Sequence, residues 1–167
     1  MSAVRSAAIL TAAAVAGLSL LGGAEVGALS SQPFVKPVNG ATISQPFGCT
    51  SFAAEPVDPS CPGGHFHSGI DLAVAAGTPV HATLAGSCQV IDDRTGYGLH
   101  VVIDHGSGLT SLYAHLEAVS VHNGEPVSAG QRIGLVGSTG NSTGPHLHFE
   151  IRIDGVAQDP QLFVHLP

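Results

Sequence analysis

From Pro79 onward the chain is a succession of short β-forming runs cut apart by glycine, a pattern that admits strands and hairpins and leaves almost no room for helices. The runs are Pro79–Leu84, Cys88–Ile91, Leu99–Asp104, Thr110–His115, Arg132–Val136 and Leu147–Ile153. Between them fall Gly86, Gly96, Gly98, Gly106, Gly108, the Asn123-Gly124 pair, Gly130, Gly137, Gly140 and Gly144, the residues that tight turns need. Beyond the N-terminal apolar segment, no stretch of ten or more residues repeats its apolar positions with the 3.6-residue period of an amphipathic helix. Connections this short join antiparallel neighbours. The expected fold is therefore mostly β, an antiparallel sandwich or barrel-like hybrid with little helix.

Length and termini set the organisation. A chain of 167 residues accommodates one domain with a real core. Its start, Met-Ser-Ala-Val-Arg5, carries one positive charge and leads into an apolar stretch from Ala7 to Leu21 and small residues ending Val26-Gly27-Ala28. This reads as a secretory signal peptide over 1–28, with an uncleaved membrane anchor as the alternative. The apolar stretch falls short of the about 20 residues of a membrane span. An extended lead follows over 29–39, where Pro33 and Pro37 oppose a helix, then a domain over 40–160 and a C-terminal tail over 161–167. Removing 1–28 takes away Arg5 and Glu25, leaving 4 basic and 11 acidic residues, a balance that suits neither nucleic acid nor an anionic membrane. The expected product is secreted, to the cell wall or periplasm, and acts as a monomer.

Export makes a disulfide an expectation for the three cysteines, Cys49, Cys61 and Cys88. Spacing alone does not fix the pairing. Cys49 with Cys61 is the favoured choice because these two bracket the loop Thr50–Ser60, just ahead of the first histidine motif. Closing so short a loop contributes roughly 3 kcal/mol by chain entropy. Cys88, within Gly86-Ser-Cys-Gln-Val-Ile91, reads as a buried small hydrophobe.

Two motifs carry chemistry: His67-Ser-Gly-Ile-Asp71 and Gly-Pro-His146-Leu-His148-Phe-Glu150. Imidazoles and a carboxylate are the donors of a four-coordinate zinc site with an open position. In the second motif, alternation puts His146, His148 and Glu150 on one face of a strand and Leu147, Phe149 and Ile151 on the other. Two imidazoles two residues apart then project in parallel. Singly, HxxxD and HxH recur in many proteins without a metal, and each becomes informative only in context.

With Gly77-Thr-Pro-Val80, Tyr113-Ala-His115-Leu and the Val127–Val136 segment containing Gly130 and Gly134, these motifs over residues 38–160 resemble the lysostaphin/LytM-type zinc metalloendopeptidases, which cut peptide bonds in bacterial peptidoglycan. The resemblance implies one zinc ion per chain held by His67, Asp71 and His148. It also implies His115 and His146 as unliganded catalytic imidazoles, and peptidoglycan as the substrate. Zinc lowers the pKa of bound water to about 7. The two histidines would divide proton transfer and oxyanion stabilisation, in an order the sequence leaves open. With no HExxH helix to supply a glutamate base, histidine takes that part. Glu150 is a candidate partner orienting an imidazole from behind, or equally a solvated strand residue. The remaining histidines, His65, His81, His100, His105, His122 and His165, read as structural or surface residues.

Two alternatives bear on this. Some LytM-type domains have lost ligands and act as activators of other cell-wall hydrolases, but every ligand position is filled here. The segment Gly130-Gln-Arg-Ile-Gly-Leu-Val-Gly137 resembles the hairpins of lipoyl or biotinyl carriers, yet the sole lysine, Lys36, lies in the lead, so only a related hairpin architecture remains. One departure stands out: where relatives continue after Phe-Gly without cysteine, this chain has Phe47-Gly48-Cys49 and the cysteine-bracketed loop, a candidate wall of the substrate cleft.

Overall fold

In the computed structural model, which describes residues 33–166, thirteen strands and one 3-10 turn at Pro160–Leu162 make up the regular structure. The expected signal peptide lies outside the described residues. The strands that the glycine-bounded runs predict are all present: β5 (Pro79–His81), β6 (Gly86–Asp92), β7 (Leu99–Gly106), β8 (Leu109–Ala114), β11 (Arg132–Val136) and β12 (His146–Ile153). The structure adds β1 (Thr42–Gln45), β2 (Gly48–Thr50), β3 (His65–His67), β4 (Ile70–Ala73), β9 (Leu116–Val119), β10 (Pro126–Val127) and β13 (Val156–Gln158). These are two to four residues long, and pairing with longer strands rather than local propensity explains them.

All pairings are antiparallel. The main sheet runs β1-β4-β12-β8-β7-β6-β10, with β13 also paired to β12. A three-stranded sheet, β5-β11-β9, and a two-stranded ribbon, β2-β3, complete the fold. Strand β12 is central because its eight residues pair with β8 on one side and with β4 and then β13 on the other.

Alternation along β12 buries Leu147, Phe149 and Ile151 completely. They join Ile70, Leu72, Ile103 and Tyr113 of the main sheet and Val80, Leu116, Ile133 and Val136 in one core cluster. Burying each large apolar side chain is worth about 1.5–3 kcal/mol, the main term holding the sheets together. That core exceeds the 40–160 span. Phe34, in the expected lead, stacks on Phe163 with ring centroids 5.5 Å apart, and Val38, Val164 and Leu166 are buried in the same cluster.

Cys49 and Cys61 form a disulfide with Cα atoms 5.2 Å apart, and Cys88 is a buried free thiol. The bridge closes the loop that leaves β2 and returns as β3, so it braces the strand that ends at His67.

Candidate metal centre

The register of the main sheet brings the separated histidine motifs together. His67 ends β3, Asp71 lies in β4, and His148 of β12 pairs directly with Asp71 on one side and with Ala114, the neighbour of His115, on the other. Gly69 makes the turn between β3 and β4 possible at this closeness. A Cβ there would lie 2.6 Å from the Phe149 carbonyl oxygen and 2.9 Å from Cε1 of His148.

Three donor atoms converge. Nε2 of His67 lies 3.0 Å from Nδ1 of His148 and 3.2 Å from Oδ1 of Asp71, and Nδ1 of His148 lies 2.9 Å from that same oxygen. The opposite ring nitrogens are already committed: Nδ1 of His67 donates to the Pro46 carbonyl at 2.8 Å, and Nε2 of His148 donates to Oε1 of Glu150 at 3.0 Å. With those tautomers fixed, neutral imidazoles turn lone pairs inward, so three acceptors face one another in a buried place. Such a cluster requires a cation at its middle, either a proton or a metal ion. Without metal the proton resides on His148. Burial opposes its charge, but the hydrogen bonds to Asp71 and Glu150 outweigh burial and raise its pKa to about 9. Burial likewise favours neutral Asp71, yet the hydrogen bond from His148 and the charge on that ring hold its carboxyl far below the usual range. Two imidazole nitrogens and a carboxylate oxygen suit zinc. Among the described residues, His67, Asp71 and His148 are the one group of three or more such side chains close enough to share an ion.

Behind this triad, Glu150 is fully buried and saturated with donors. Its Oε1 accepts from His148, from the Ser68 hydroxyl at 2.6 Å and from the Tyr97 hydroxyl at 2.6 Å, while Oε2 accepts from Nε of Arg152. Burial works to raise its pKa, but the His148 and Arg152 bonds lower it to about 2. The solvated-strand reading of Glu150 does not describe this geometry.

His115 and His146 stand beside the triad with ring centroids 4.7 Å apart. Nδ1 of His115 donates to the Thr139 carbonyl at 2.8 Å, and Nδ1 of His146 donates to the Gly144 carbonyl at 2.8 Å; among the described residues neither Nε2 has a hydrogen-bond partner, and that of His146 lies 3.7 Å from Oδ1 of Asp71. His115 lies between β8 and β9 at φ 61°, in the left-handed region that it shares with two other non-glycine residues among those described, Ser107 and Asp154. Burial, reinforced by neighbouring His146 and His148 and offset in part by Thr139, lowers its pKa to about 4, so it is neutral at physiological pH.

Both imidazoles line a cleft of about 720 Å³. One wall is the disulfide loop, through Phe52, Ala54, Glu55 and Pro56, and the other is the 141–145 loop. Asn141 reaches across to the Ala54 carbonyl at 3.3 Å.

Sequence reasoning gave no role to Ser68, Tyr97 or Arg152. Arg152 continues the 146-148-150 alternation and was detectable that way, whereas Tyr97 lies in a Gly-Tyr-Gly turn with no periodic signal. The other histidines serve elsewhere: His65 donates to the Glu55 carbonyl, His100 to that of Gly98, His105 bridges the Ala85 carbonyl and Ser111, and His122 pairs with Glu125.

Comparison with known proteins identifies the family. Over 126 residues, 75% of this chain, it is 43% identical to the DD-carboxypeptidase/endopeptidase Mpg of Neisseria meningitidis, of which it spans 28%. Over 93 residues, 56% of this chain, it is 44% identical to the murein hydrolase activator EnvC of Escherichia coli, of which it spans 22%. The chain thus spans about a quarter of these relatives' length. Among solved structures, the catalytic domain of the antimicrobial peptidase lysostaphin from Staphylococcus simulans superposes with a TM-score of 0.63 at 32% identity, covering 77% of this chain and 95% of that one. Residues 65–160, which hold every ligand candidate and both free imidazoles, match Peptidase family M23, and the chain belongs to that family of peptidoglycan hydrolases.

Proposed function

We propose that the chain is an exported, zinc-dependent endopeptidase that hydrolyses amide bonds in peptidoglycan stem peptides or cross-bridges. One observation supports this reading: three inward-facing lone-pair atoms, on His67, Asp71 and His148, sit beside two imidazoles held through Nδ1, with Nε2 of His146 3.7 Å from Oδ1 of Asp71. His67, Asp71 and His148 would hold one zinc ion. When bound, zinc supplies the Lewis acidity that activates water near neutral pH and polarises an amide carbonyl.

The remaining chemistry belongs to the chain. His115 is neutral, its tautomer is fixed by Thr139, and its Nε2 accepts the proton of the attacking water and returns it to the leaving amine. His146, fixed through Gly144, donates from Nε2 when protonated and so stabilises the developing oxyanion. Glu150 holds the His148 ring in the tautomer that turns Nδ1 inward. In this reading residues 1–28 direct export, residues 40–160 are the catalytic domain, and the protein works as a monomer.

The similarity to EnvC favours a second reading, a module that activates another cell-wall hydrolase. Mass spectrometry of purified peptidoglycan, incubated with zinc-loaded or chelator-treated protein, separates the two. New peptide termini only in the zinc-loaded sample support the endopeptidase and identify the bond. A zinc-loaded protein that leaves the polymer intact supports the activator.

A further inference from the structure

The cleft walls hold one carboxylate that the metal centre does not use. Glu55 lies on the disulfide loop, half-buried, and lines the cleft. Its position is fixed at both ends: the His65 ring donates to its backbone carbonyl at 2.7 Å, and Nε2 of Gln45 donates to its Oε1 at 3.0 Å. Gln45 is the strand partner of Asp71, so Glu55 is tied to the edge of the metal centre through one side chain. The Cys49–Cys61 bridge and the Asn141 contact to Ala54 hold the surrounding loop against the opposite wall. Among the described residues, no hydrogen bond reaches Oε2 of Glu55. Among the described residues, no lysine or arginine lines the cleft, and Arg152, bonded to the cleft residue Tyr97, is engaged with Glu150.

A braced carboxylate with a free oxygen and no cationic neighbour selects for positive charge and against negative charge. We propose that Glu55 is a specificity-determining residue that receives a primary ammonium group of the peptide substrate and disfavours a free carboxylate in the same place. This makes the site better suited to an internal amide flanked by an amine-bearing residue than to trimming a carboxylate-ended peptide. The proposal rests on the endopeptidase reading and deepens it.

The test uses the zinc-loaded full chain, its Glu55→Gln and Glu55→Lys variants, and a cross-linked peptidoglycan peptide supplied either with its primary amines free or with the same amines acetylated. Thermal melting first establishes that the variants fold. The wild type should show a kcat/KM roughly fivefold higher for the free-amine substrate, the size of a partly exposed ion pair. Glu55→Gln should bring that ratio to about one, and Glu55→Lys should invert it. Equal cleavage of both substrates by the wild type, or a preference that persists in Glu55→Gln, would overturn the role of Glu55 while leaving the hydrolase reading intact. No cleavage of either substrate by the wild type would overturn both.

Discussion

Replacing Glu150 with glutamine tests whether the buried layer behind the metal centre does what its geometry implies. The carboxylate accepts four hydrogen bonds, three at Oε1 from Ser68, Tyr97 and His148 and one at Oε2 from Arg152. Glutamine keeps the shape but turns an NH2 group toward at least one of these donors and leaves Arg152 without its counterion. Breaking one side of a buried charged pair costs about 3–5 kcal/mol. A second route gives a similar figure. A carboxyl held at about 2 rather than at the ordinary 4.5 contributes about 3 kcal/mol to folding at neutral pH. The sign follows from the depressed pKa: the contribution is complete above pH 4.5 and is lost as pH falls toward 2. For a domain of this size the loss corresponds to a melting temperature lower by about 10 °C. The His148 ring also loses its fixed tautomer, so zinc should bind about 10–100-fold more weakly. Urea unfolding of the metal-free protein and zinc titration against a competing chelator read the two effects separately. A variant within about 0.5 kcal/mol of wild type, with unchanged zinc affinity, would refute the reasoning.

Three further outcomes are expected. His115→Ala should abolish peptidoglycan cleavage and keep its zinc, whereas His148→Ala should lose both, as read by metal analysis beside a turbidity assay; loss of zinc from His115→Ala would contradict its unliganded role. Because metal-free His148 holds a proton up to about pH 9, zinc must displace it, so apparent affinity should rise about tenfold per pH unit from 7 to 9 and then level off; an affinity flat over that range would contradict the three-acceptor arrangement. Gly69→Ala should lower stability by about 1–3 kcal/mol and weaken zinc binding, since its Cβ meets the Phe149 carbonyl at 2.6 Å; a variant with wild-type melting and metal affinity would show that the turn relaxes freely.

Much of the architecture was legible because the long strands carry their own signal. In β12 the alternation of Leu147, Phe149 and Ile151 with His148 and Glu150 marks both the core face and the chemical face. Strands β1 to β4 carry no such signal: Thr42-Ile-Ser-Gln and Gly48-Cys-Thr become strands because partners across the sheet and a disulfide hold them extended. Of the five principal site residues, only His146 and His148 follow strand spacing; His67 and Asp71 sit on separate strands and His115 between two strands, so their roles were legible only through the resemblance of their motifs to the lysostaphin/LytM-type family. The cysteine-bracketed loop was legible as a cleft wall, but Tyr97 and the tie between Glu55 and Gln45 were not, because these contacts arise from loop closure, and loop closure leaves no periodicity in sequence. The left-handed turn at His115 was hidden for a related reason, since its neighbours continue the strand pattern on both sides.

The most direct test of the account is a zinc titration of chelated protein with peptidoglycan cleavage followed at each addition. Cleavage that is absent without metal, rises with zinc and saturates at one equivalent per chain is the predicted result. Zinc that binds stoichiometrically without any cleavage, or cleavage indifferent to chelation, would contradict it.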